Sequence, residues 1–400
     1  MSENADIKAI LTNPNMTDRT IEYYFFKKWL GESIFTANGD AWKLKTKQYY
    51  PFFNIKFVQN AFPVFEHHSE NLIESMKNNT GIDFDIYHKV DSFAIDVIIE
   101  LTLGIRNNSH ENPTNFQHYL HENSKTTVWR MFHPVFRYDF LFSFTHKCKE
   151  GQRMIKEFRA YIQEAIERTR KKGLMDHRKT LIDIDCSISQ STLPMSDVKI
   201  QDNLLSTIYG GFGTMSSSVS FLTFCLAKYP EVQEKVYQEI KENINPNEPL
   251  TIPTLNTLKY TNLVIKEALR MYTPAPSVLR SNSEPLELNG YTYPANTSFV
   301  LSLYNAHHNP ENYEDPEEFL PERHDVSENS ENNIHNFVAF APGARGCRGN
   351  KIAEYQLKTF VVKMLNSYKI GLKEGFEPEL SWDIILKPYN GIWINLSARN

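Results

Sequence analysis

The stretch Phe340-Ala-Pro-Gly-Ala-Arg-Gly-Cys-Arg-Gly349 leads directly into a long helical pattern that begins at Asn350. Cys347 therefore lies just before the N-terminus of a helix, where free backbone N–H groups and the positive end of the helix dipole favour a thiolate over a thiol. Arg345 and Arg348 place two further positive charges beside the cysteine. We therefore expect the pKa of the Cys347 thiol to be lowered.

Two interpretations of this loop are open. It is either a glycine turn with an idle cysteine, or a tight loop that offers one thiolate to haem iron while its glycines let a flat ligand approach the backbone. The spacing favours the second: Phe340 lies seven residues before the cysteine, Gly343 four before, Arg345 two before and Gly349 two after. With glycine at about 7% of residues, the two glycines alone would match by chance about once in 200 trials.

The whole run resembles the haem-binding loop of the cytochrome P-450 superfamily, in which a cysteine thiolate holds the iron. The resemblance implies a mainly α fold with small β-sheets, a long central helix over the haem, and a single domain over residues 1–400. It also implies haem, iron protoporphyrin IX, bound through the Cys347 thiolate. By the same resemblance, four residues of the loop bind the cofactor: Phe340, Gly343, Arg345 and Gly349.

Composition excludes several other classes of protein. The apolar content of 41% suits a globular chain with a sizeable core, and a net charge of −5 argues against a general nucleic-acid binder. The four cysteines form no close pairs, so neither a disulfide framework nor a zinc site is predicted, and a reducing compartment fits best. No run of 18 or more apolar residues spans a membrane, and the first residues are too polar for a signal peptide.

The longest helical pattern starts at Ser196, a plausible N-cap, and runs to Lys228 before a proline. Its length suits a central strut. Gly210, Gly211 and Gly213 interrupt it, and each glycine should cost about 1 kcal/mol relative to alanine, so we expect a local distortion. The alternative is a flexible kink without any chemistry.

By resemblance, this place carries a threonine whose hydroxyl, with an acidic neighbour, relays protons to bound dioxygen. Thr214 matches the threonine, but Gly213 occupies the position of the acid. Proton delivery must then use ordered water, Thr214 and Ser217, or be impaired. Because Gly210 stands where some family-4 enzymes carry an ester-forming glutamate, covalent haem is not predicted.

The segment around Trp42, with Lys43, Lys45 and Lys47, predicts a basic helix. A solvated helix face is the simpler interpretation of the lysines. In the family, a tryptophan here and an arginine four residues later bind a haem propionate. Trp42 matches, whereas the second position is Thr46; Lys45 or Lys47 is the candidate replacement, without the bidentate fork of arginine.

Glu267 and Arg270 lie three residues apart on one helix face, which by itself indicates only a local ion pair. The resemblance adds Arg323 and implies a buried network that locks the loop before the cysteine. Arg280 follows at the distance where the family places a propionate-binding arginine. The alternative for Arg280 is an exposed charge on a strand.

The remaining patterns complete a mostly helical chain. Helices are predicted at 4–12, 52–76 and 93–103, and an aromatic connector around Phe132 joins two more at 115–142 and 149–173. A polar loop is predicted at 174–195, and helices at 230–240 and 258–271. Short strands are predicted within 277–304, with a terminal hairpin at 386–394.

The resemblance implies a haem-thiolate monooxygenase that uses O2 and hydroxylates lipophilic substrates such as fatty acids or xenobiotics. It implies electrons from an NADPH-dependent cytochrome reductase, with cytochrome b5 as a second donor, and a monomer at the cytosolic face of the endoplasmic reticulum. One surface should dock the reductase: Lys43, Lys45, Lys47, Arg348 and Lys351. The alternative function is a non-catalytic or impaired haem-binding relative.

Two further expectations concern which family members the chain resembles. The aromatic connector and the Asn13-Pro14-Asn15 opening resemble the animal, especially insect, family-4 group. Relative to microsomal members, the chain lacks the usual N-terminal anchor and the first strands of the sheet. We therefore expect strand 298–304 to form a less covered sheet edge.

Overall fold

The longest helix, α10 (Asp197–Lys228), lies at the centre of the molecule, and 23 of its 32 residues are buried. The Ser196 side chain caps its N-terminus by accepting a hydrogen bond from the Lys199 backbone N–H, and Pro230 follows its C-terminus. The computed structural model describes residues 3–111, 114–172, 180–189, 195–325 and 336–399. Within these residues α10 is the predicted central strut.

The glycines do not break α10, which is one continuous α-helix from Asp197 to Lys228. A Cβ on Gly211 would lie 2.6 Å from Ile98 Cδ1, so the missing side chain lets α5 pack closely against α10. Helix packing at this contact offsets the low helix propensity of glycine.

Fourteen other α-helices surround α10 in the described residues. They are α1 (Asn4–Thr12), α2 (Tyr23–Leu30), α3 (Gly39–Phe53), α4 (Ile55–Ser75), α5 (Tyr87–Leu103), α6 (Phe116–Phe132), α7 (Asp139–Ser143), α8 (His146–Lys172), α9 (Leu181–Ser189), α11 (Pro230–Asn243), α12 (Ile252–Thr257), α13 (Lys259–Met271), α14 (Leu303–His307) and α15 (Asn350–Ser367). Short 3-10 helices lie at Lys77–Asn79, Pro134–Arg137 and Pro321–His324. No helix in the described ranges is long and apolar enough to cross a membrane.

Nine short strands form four antiparallel sheets among the described residues. The strands are β1 (Phe84–Asp85), β2 (Ser277–Ser281), β3 (Leu286–Leu288), β4 (Tyr291–Tyr293), β5 (Ser298–Ser302), β6 (Tyr368–Leu372), β7 (Leu380–Trp382), β8 (Leu386–Pro388) and β9 (Trp393–Ala398). One sheet has the order β1-β9-β6, and the others pair β2 with β5, β3 with β4, and β7 with β8. The mainly α fold with small sheets is thereby confirmed.

Two local predictions are wrong. The predicted polar loop at 174–195 contains α9, whose Leu181, Ile182 and Cys186 are buried; the flanking residues 173–179 and 190–194 lie outside the described ranges. The predicted hairpin at 386–394 does not form, because β8 pairs with the preceding strand β7, whereas β9 pairs with β1 and β6. The segment 181–189 packs against α3, α5, α8 and α10, and β9 pairs with strands that are distant in sequence, neither of which a local pattern could reveal.

A small second core supports the loop before Cys347. It joins Ile7, Ile10 and Leu11 of α1 to Phe299 and Leu301 of β5, and it includes Val338 and Ala341. The much larger first core packs around α10, α5 and α15. The cysteine loop is thus seated where the two cores meet.

A buried ion network centred on Glu267 lies behind this loop. Arg270 donates to both carboxylate oxygens of Glu267 at 2.8 and 2.9 Å, and Arg323 Nε donates to Oε1 at 3.0 Å. His324 and the Leu320 backbone N–H also form hydrogen bonds with the Glu267 carboxylate. Burial alone would raise the pKa of Glu267, yet the hydrogen bonds from His324 and Arg270 hold this pKa at about 2.

A chain of hydrogen bonds connects the network to the cysteine loop through His307. Arg270 Nη1 donates to the His307 carbonyl at 2.7 Å, and the Val338 backbone N–H donates to His307 Nε2 at 3.0 Å. Burial lowers the pKa of His307 to about 3, so the ring is neutral and its Nε2 is free to accept. The Val338 carbonyl in turn accepts from the Ala341 N–H at 2.8 Å. Glu267 therefore acts on the loop through fixed polar contacts.

Replacing Glu267 by Gln should destabilise the protein strongly, because the change leaves the buried Arg270 without a counter-charge. Breaking such a buried pair costs about 3–5 kcal/mol. The measurement is the free energy of unfolding in urea for Glu267→Gln at neutral pH, where the wild-type carboxylate is fully ionised. Glu318→Gln, an exposed glutamate in the neighbouring segment, is the matched control and should change little. Equal stabilities of the two variants would contradict a central role for the network.

Candidate functional site

The cysteine loop is held by its own backbone hydrogen bonds. The Cys347 N–H donates to the Phe340 carbonyl at 2.9 Å, and the Gly346 N–H donates to the Gly343 carbonyl at 3.0 Å. Ala341 adopts a left-handed conformation with φ 47°. These contacts fix the cysteine three residues before α15 begins at Asn350.

The two predicted loop glycines have different roles. Gly343 has φ +107°, and a Cβ there would lie 2.0 Å from the Leu11 carbonyl oxygen, so its missing side chain accommodates α1 rather than a ligand. Gly349 lies beside the thiol, since a Cβ there would be 4.0 Å from Cys347 Sγ. Only Gly349 therefore fits the expectation that a glycine keeps the space next to the sulfur open.

The expected lowering of the Cys347 pKa is wrong for the polypeptide by itself. Burial raises the pKa of this thiol, although the Gly349 backbone N–H and the Arg348 guanidinium act in the opposite direction. Arg345 contributes little at the thiol because its guanidinium turns away to the Ala37 carbonyl at 2.6 Å. A coordinating metal ion removes the thiol proton in any case.

Cys347 is nonetheless exposed. Because protein atoms around the thiol desolvate it although it is accessible, we infer that it borders a cavity inside the protein. The buried Cys148, Cys186 and Cys225 lack this access, and all four thiols are free. Cys347 is thus the cysteine placed to bind a ligand within the fold.

The middle of α10 is accessible along one stripe only. Gly210 is exposed and Thr207, Gly211 and Thr214 are partly so, a spacing that places all four on one helix face. We call these four residues the α10 stripe. Because the middle of α10 is otherwise buried and the helix packs against α15, the helix that follows the cysteine loop, we infer that the stripe and the Cys347 thiol border the same cavity.

Thr214 lies in the α10 stripe, and its hydroxyl donates to the Gly210 carbonyl at 2.7 Å. Gly213 is buried, and a Cβ there would lie 3.4 Å from Ile385 Cγ1, next to the turn between β7 and β8. The Ser217 hydroxyl is buried and has no hydrogen-bond partner among the described protein groups. Thr214 and Ser217 are therefore the hydroxyls near the position where the expected acid is missing.

Arg345 and Arg280 form a buried cationic pair. Arg280 is 1% exposed and its Nη2 donates to the Arg345 carbonyl at 3.2 Å. The Arg345 guanidinium lies over the Trp42 ring at 4.6 Å, which brings α3 to the cysteine loop. The alternative interpretation of Arg280, an exposed charge on a strand, is therefore wrong. Burial, and after it the charge of Arg19, lowers the pKa of Arg345 to about 8 and that of Arg280 to about 10.

This pair has the properties of an anion site. In the described part of the chain no carboxylate lies within ion-pair distance of either guanidinium, and three of their nitrogens have no hydrogen-bond partner: Arg280 Nε, Arg345 Nε and Arg345 Nη1. Buried cations without partners are costly, so an anionic ligand should occupy this position. Haem carries two propionate carboxylates, and the donor set fits them.

The candidate replacements for the missing arginine of α3 do not reach this pair. Lys45 Nζ donates to Asn203 Oδ1 at 3.2 Å, and Lys47 is exposed on the outside of α3. Thr46 Oγ1 is buried without a partner. Arg19, which the sequence analysis did not single out, lies beside Arg280 and Arg345 instead. No local motif marks it, because its partners are distant in sequence.

Comparisons with known proteins agree with this geometry. The family model for Cytochrome P450 matches residues 1–395. Cytochrome P450 4d2 of Drosophila melanogaster is 28% identical over 98% of this chain and 83% of that protein. Cytochrome P450 4V2 of Mus musculus is 26% identical over 99% of this chain and 79% of that protein. These names confirm the resemblance to the animal family-4 group.

Solved structures show the same fold. The heme domain of cytochrome P450DA superposes with a TM-score of 0.87 at 17% identity, covering 98% of this chain and 86% of that one. The retinoic acid-bound cyanobacterial CYP120A1 also gives 0.87, at 19% identity, covering 100% of this chain and 88% of that one. With Cys347, the α10 stripe and the arginine pair placed as described, the chain belongs to the cytochrome P450 family and is a haem-thiolate monooxygenase.

Proposed function

We propose that the enzyme hydroxylates lipophilic substrates, fatty acids or xenobiotics, with electrons from an NADPH-dependent flavoprotein reductase. The observation that carries this proposal is the accessibility of the Cys347 thiol and of the α10 stripe, from which we infer a shared cavity. Ile98 lies against Gly211 of the stripe, and Ile385 lies against the neighbouring Gly213, so the surroundings of the stripe include apolar side chains. An apolar pocket with few polar groups selects an apolar substrate and fixes it by shape.

Each protein group has a defined task in this mechanism. Cys347 would hold the iron through its sulfur, and the anion site formed by Arg280 and Arg345 would bind the propionates. Bound haem supplies the activation of O2. Thr214 Oγ1 is held toward the Gly210 carbonyl, which leaves the oxygen lone pairs free to accept a hydrogen bond from water on the cavity side.

Proton delivery runs through water, since Gly213 has no side chain to carry a proton. Ser217 Oγ, buried and unpartnered, offers a second hydroxyl one helical turn from Gly213. The presence of Cys347, Thr214 and the arginine pair in one site favours an active enzyme over the impaired relative.

Replacing Thr214 by Ala should uncouple NADPH use from product formation, because it removes the hydroxyl that passes protons. We expect product per NADPH to fall about tenfold or more, within the range of general acid–base effects, while haem content is unchanged. The measurement supplies reductase, NADPH and a panel of fatty acids and xenobiotics, and quantifies hydroxylated products by mass spectrometry.

Thr223→Ala is the matched control, since Thr223 lies on the same helix outside the stripe and donates to the Val219 carbonyl in the same way at 2.7 Å. It should keep the coupling of the wild type. Absence of hydroxylated product from every lipid and xenobiotic, in protein with full haem content, would contradict the proposed function.

The reductase should dock on the exposed basic residues beside the cysteine loop. Lys43, Lys47, Arg348 and Lys351 are exposed, whereas Lys45 is partly buried against Asn203 and is left out of the surface. Complementary charge mainly accelerates association.

Reversing three of these charges, Lys43→Glu, Lys47→Glu and Lys351→Glu together, should slow reductase-supported turnover severalfold at low salt and leave haem content intact. High salt should reduce the difference from wild type, because it screens exposed charges. The matched control reverses Lys125, Lys147 and Lys149 on α6 and α8. Equal turnover of both triple variants at every ionic strength would refute this surface.

A membrane location, at the cytosolic face of the endoplasmic reticulum, is supported by one exposed apolar surface. Phe132 is 79% exposed, Tyr138 70%, Phe140 73% and Phe144 69%. Lys28 and Arg137 lie at its rim, where they pair with Asp139 and Glu22. Aromatic side chains flanked by basic residues are typical of surfaces that rest in the lipid interface.

A further inference from the structure

The turn between β7 and β8 carries Ile385, which lies against α10 beside the α10 stripe. A Cβ on Gly213 would be 3.4 Å from Ile385 Cγ1, and Ile385 remains partly accessible in spite of this contact. Gly213 directly precedes Thr214, a residue of the stripe. The position of the turn therefore determines how much room the inferred cavity offers beside Thr214.

The backbone of this hairpin fixes its position only in part. As far as the chain is described, β7 and β8 form a sheet of two strands, and a two-stranded hairpin by itself is marginally stable. Trp382 is 56% exposed and Tyr389 is 78% exposed, so the outer side of the hairpin is not packed. Leu386 is buried, and its N–H donates to the Pro274 carbonyl at 2.9 Å. Side-chain contacts must supply the remaining support of the turn.

A row of buried polar side chains connects β8 to three helices. Lys387 Nζ lies 2.9 Å from His121 Nδ1 of α6, and His121 Nε2 lies 2.9 Å from Asp91 Oδ2 of α5. Ser216 Oγ of α10 donates to Asp91 Oδ1 at 2.5 Å. The His121 ring also packs against the Phe212 ring of α10, with 5.0 Å between the centroids. We call Lys387, His121, Asp91 and Ser216 the polar clamp.

The chemistry of the polar clamp assigns the hydrogen on the imidazole ring. An ammonium group can only donate, so Lys387 donates and His121 Nδ1 accepts. The ring hydrogen is then on Nε2, which donates to Asp91. The side chains of Asp91, His121 and Lys387 are only 11%, 19% and 16% exposed, so the loss of one partner is costly to the others. Asp383 of the turn lies 3.7 Å from Lys387 Nζ and balances its charge from the other side.

We propose that the polar clamp positions the β7–β8 turn for the hydroxylation reaction. Through Lys387 it holds the turn against α10, so that Ile385 limits the cavity at Gly213 and determines which carbon of the substrate is oxidised. His121, Asp91 and Lys387 are positioning residues, because they act through Ile385. The inference rests on the proposed function: an apolar substrate offers few polar groups for orientation, so the shape of the cavity wall selects the carbon.

The test compares the positional isomers that the haem-loaded protein forms from one saturated fatty acid with reductase and NADPH. Lys387→Met removes the cation at the partly exposed end of the polar clamp and leaves Asp91 bonded to His121 and Ser216, so the variant should fold. The ratio of the major hydroxylated isomer to the next should change about tenfold, the discrimination that one methylene group provides in an apolar pocket. Lys387→Arg keeps a cationic donor for His121 and should restore most of the wild-type ratio.

Lys363→Met is the matched control. Lys363 lies on α15, its side chain is 25% exposed, and its Nζ pairs with Glu70 at 2.8 Å and with Glu66 at 3.2 Å. It is therefore a partly buried, ion-paired lysine like Lys387, but its partners lie on α4 and not beside the hairpin. The control should keep the wild-type isomer ratio.

Two further measurements separate positioning from a general loss of stability. Ile385→Ala should itself change the isomer ratio, and adding Lys387→Met should change it little further, because the two substitutions act on the same contact. Hydrogen exchange of the backbone at 380–388, measured without substrate, gives a readout that does not depend on activity. It should be faster in Lys387→Met than in wild type and unchanged in Lys363→Met.

The inference would be overturned by a wild-type isomer ratio in Lys387→Met, by additive effects of Lys387→Met and Ile385→Ala, or by unchanged hydrogen exchange of the hairpin. A wild-type protein that forms no hydroxylated product from any substrate would instead contradict the proposed function. The two failures are thus distinguishable, since hydrogen exchange reports on the polar clamp in either case.

Discussion

The candidate haem site depends on one thiol, that of Cys347, which the protein desolvates but leaves accessible to a ligand. Sγ of Cys347 has this position because the loop is closely packed: Gly343 leaves no room for a side chain beside the Leu11 carbonyl, and the Cys347 N–H donates to the Phe340 carbonyl. Behind the loop, polar contacts lead through His307 and Arg270 to the Glu267 carboxylate. A rigid loop presents the sulfur in one orientation, which a metal ligand requires.

The same packing of the loop determines which charged and titratable groups lie beside it. The loop places the Arg345 guanidinium over the Trp42 ring and beside Arg280. Burial there destabilises both guanidinium charges. The thiol is also uncharged by preference in this environment. A ligand that delivers a metal cation to the sulfur and carboxylates to the arginines would relieve both penalties together. These residues therefore suit a cofactor that carries both a metal cation and carboxylates, as haem does.

Much of this could be predicted from sequence because the signals were local. The Cys347 loop, the Glu267 and Arg270 spacing, and the long pattern ending at Lys228 each carry their information within a few residues. What failed was decided by distant contacts. The close approach of Ile98 to Gly211 lets α10 run on as one helix, and β9 pairs with β1 and β6 rather than with β8. Arg19 could not be identified from the sequence because only the fold brings it beside Arg345. The expected lowering of the Cys347 pKa was wrong because burial raises this pKa more than the groups at the helix terminus lower it.

The central claim is that the Cys347 sulfur holds haem iron, and the most direct measurement is the absorbance spectrum of the reduced, carbon-monoxide-bound protein. Thiolate ligation predicts a strongly red-shifted Soret band in the wild type and its loss in Cys347→Ser, with Cys225→Ser unchanged because that thiol is fully buried. A histidine-type band in the wild type, or a red-shifted band that persists in Cys347→Ser, would contradict the claim.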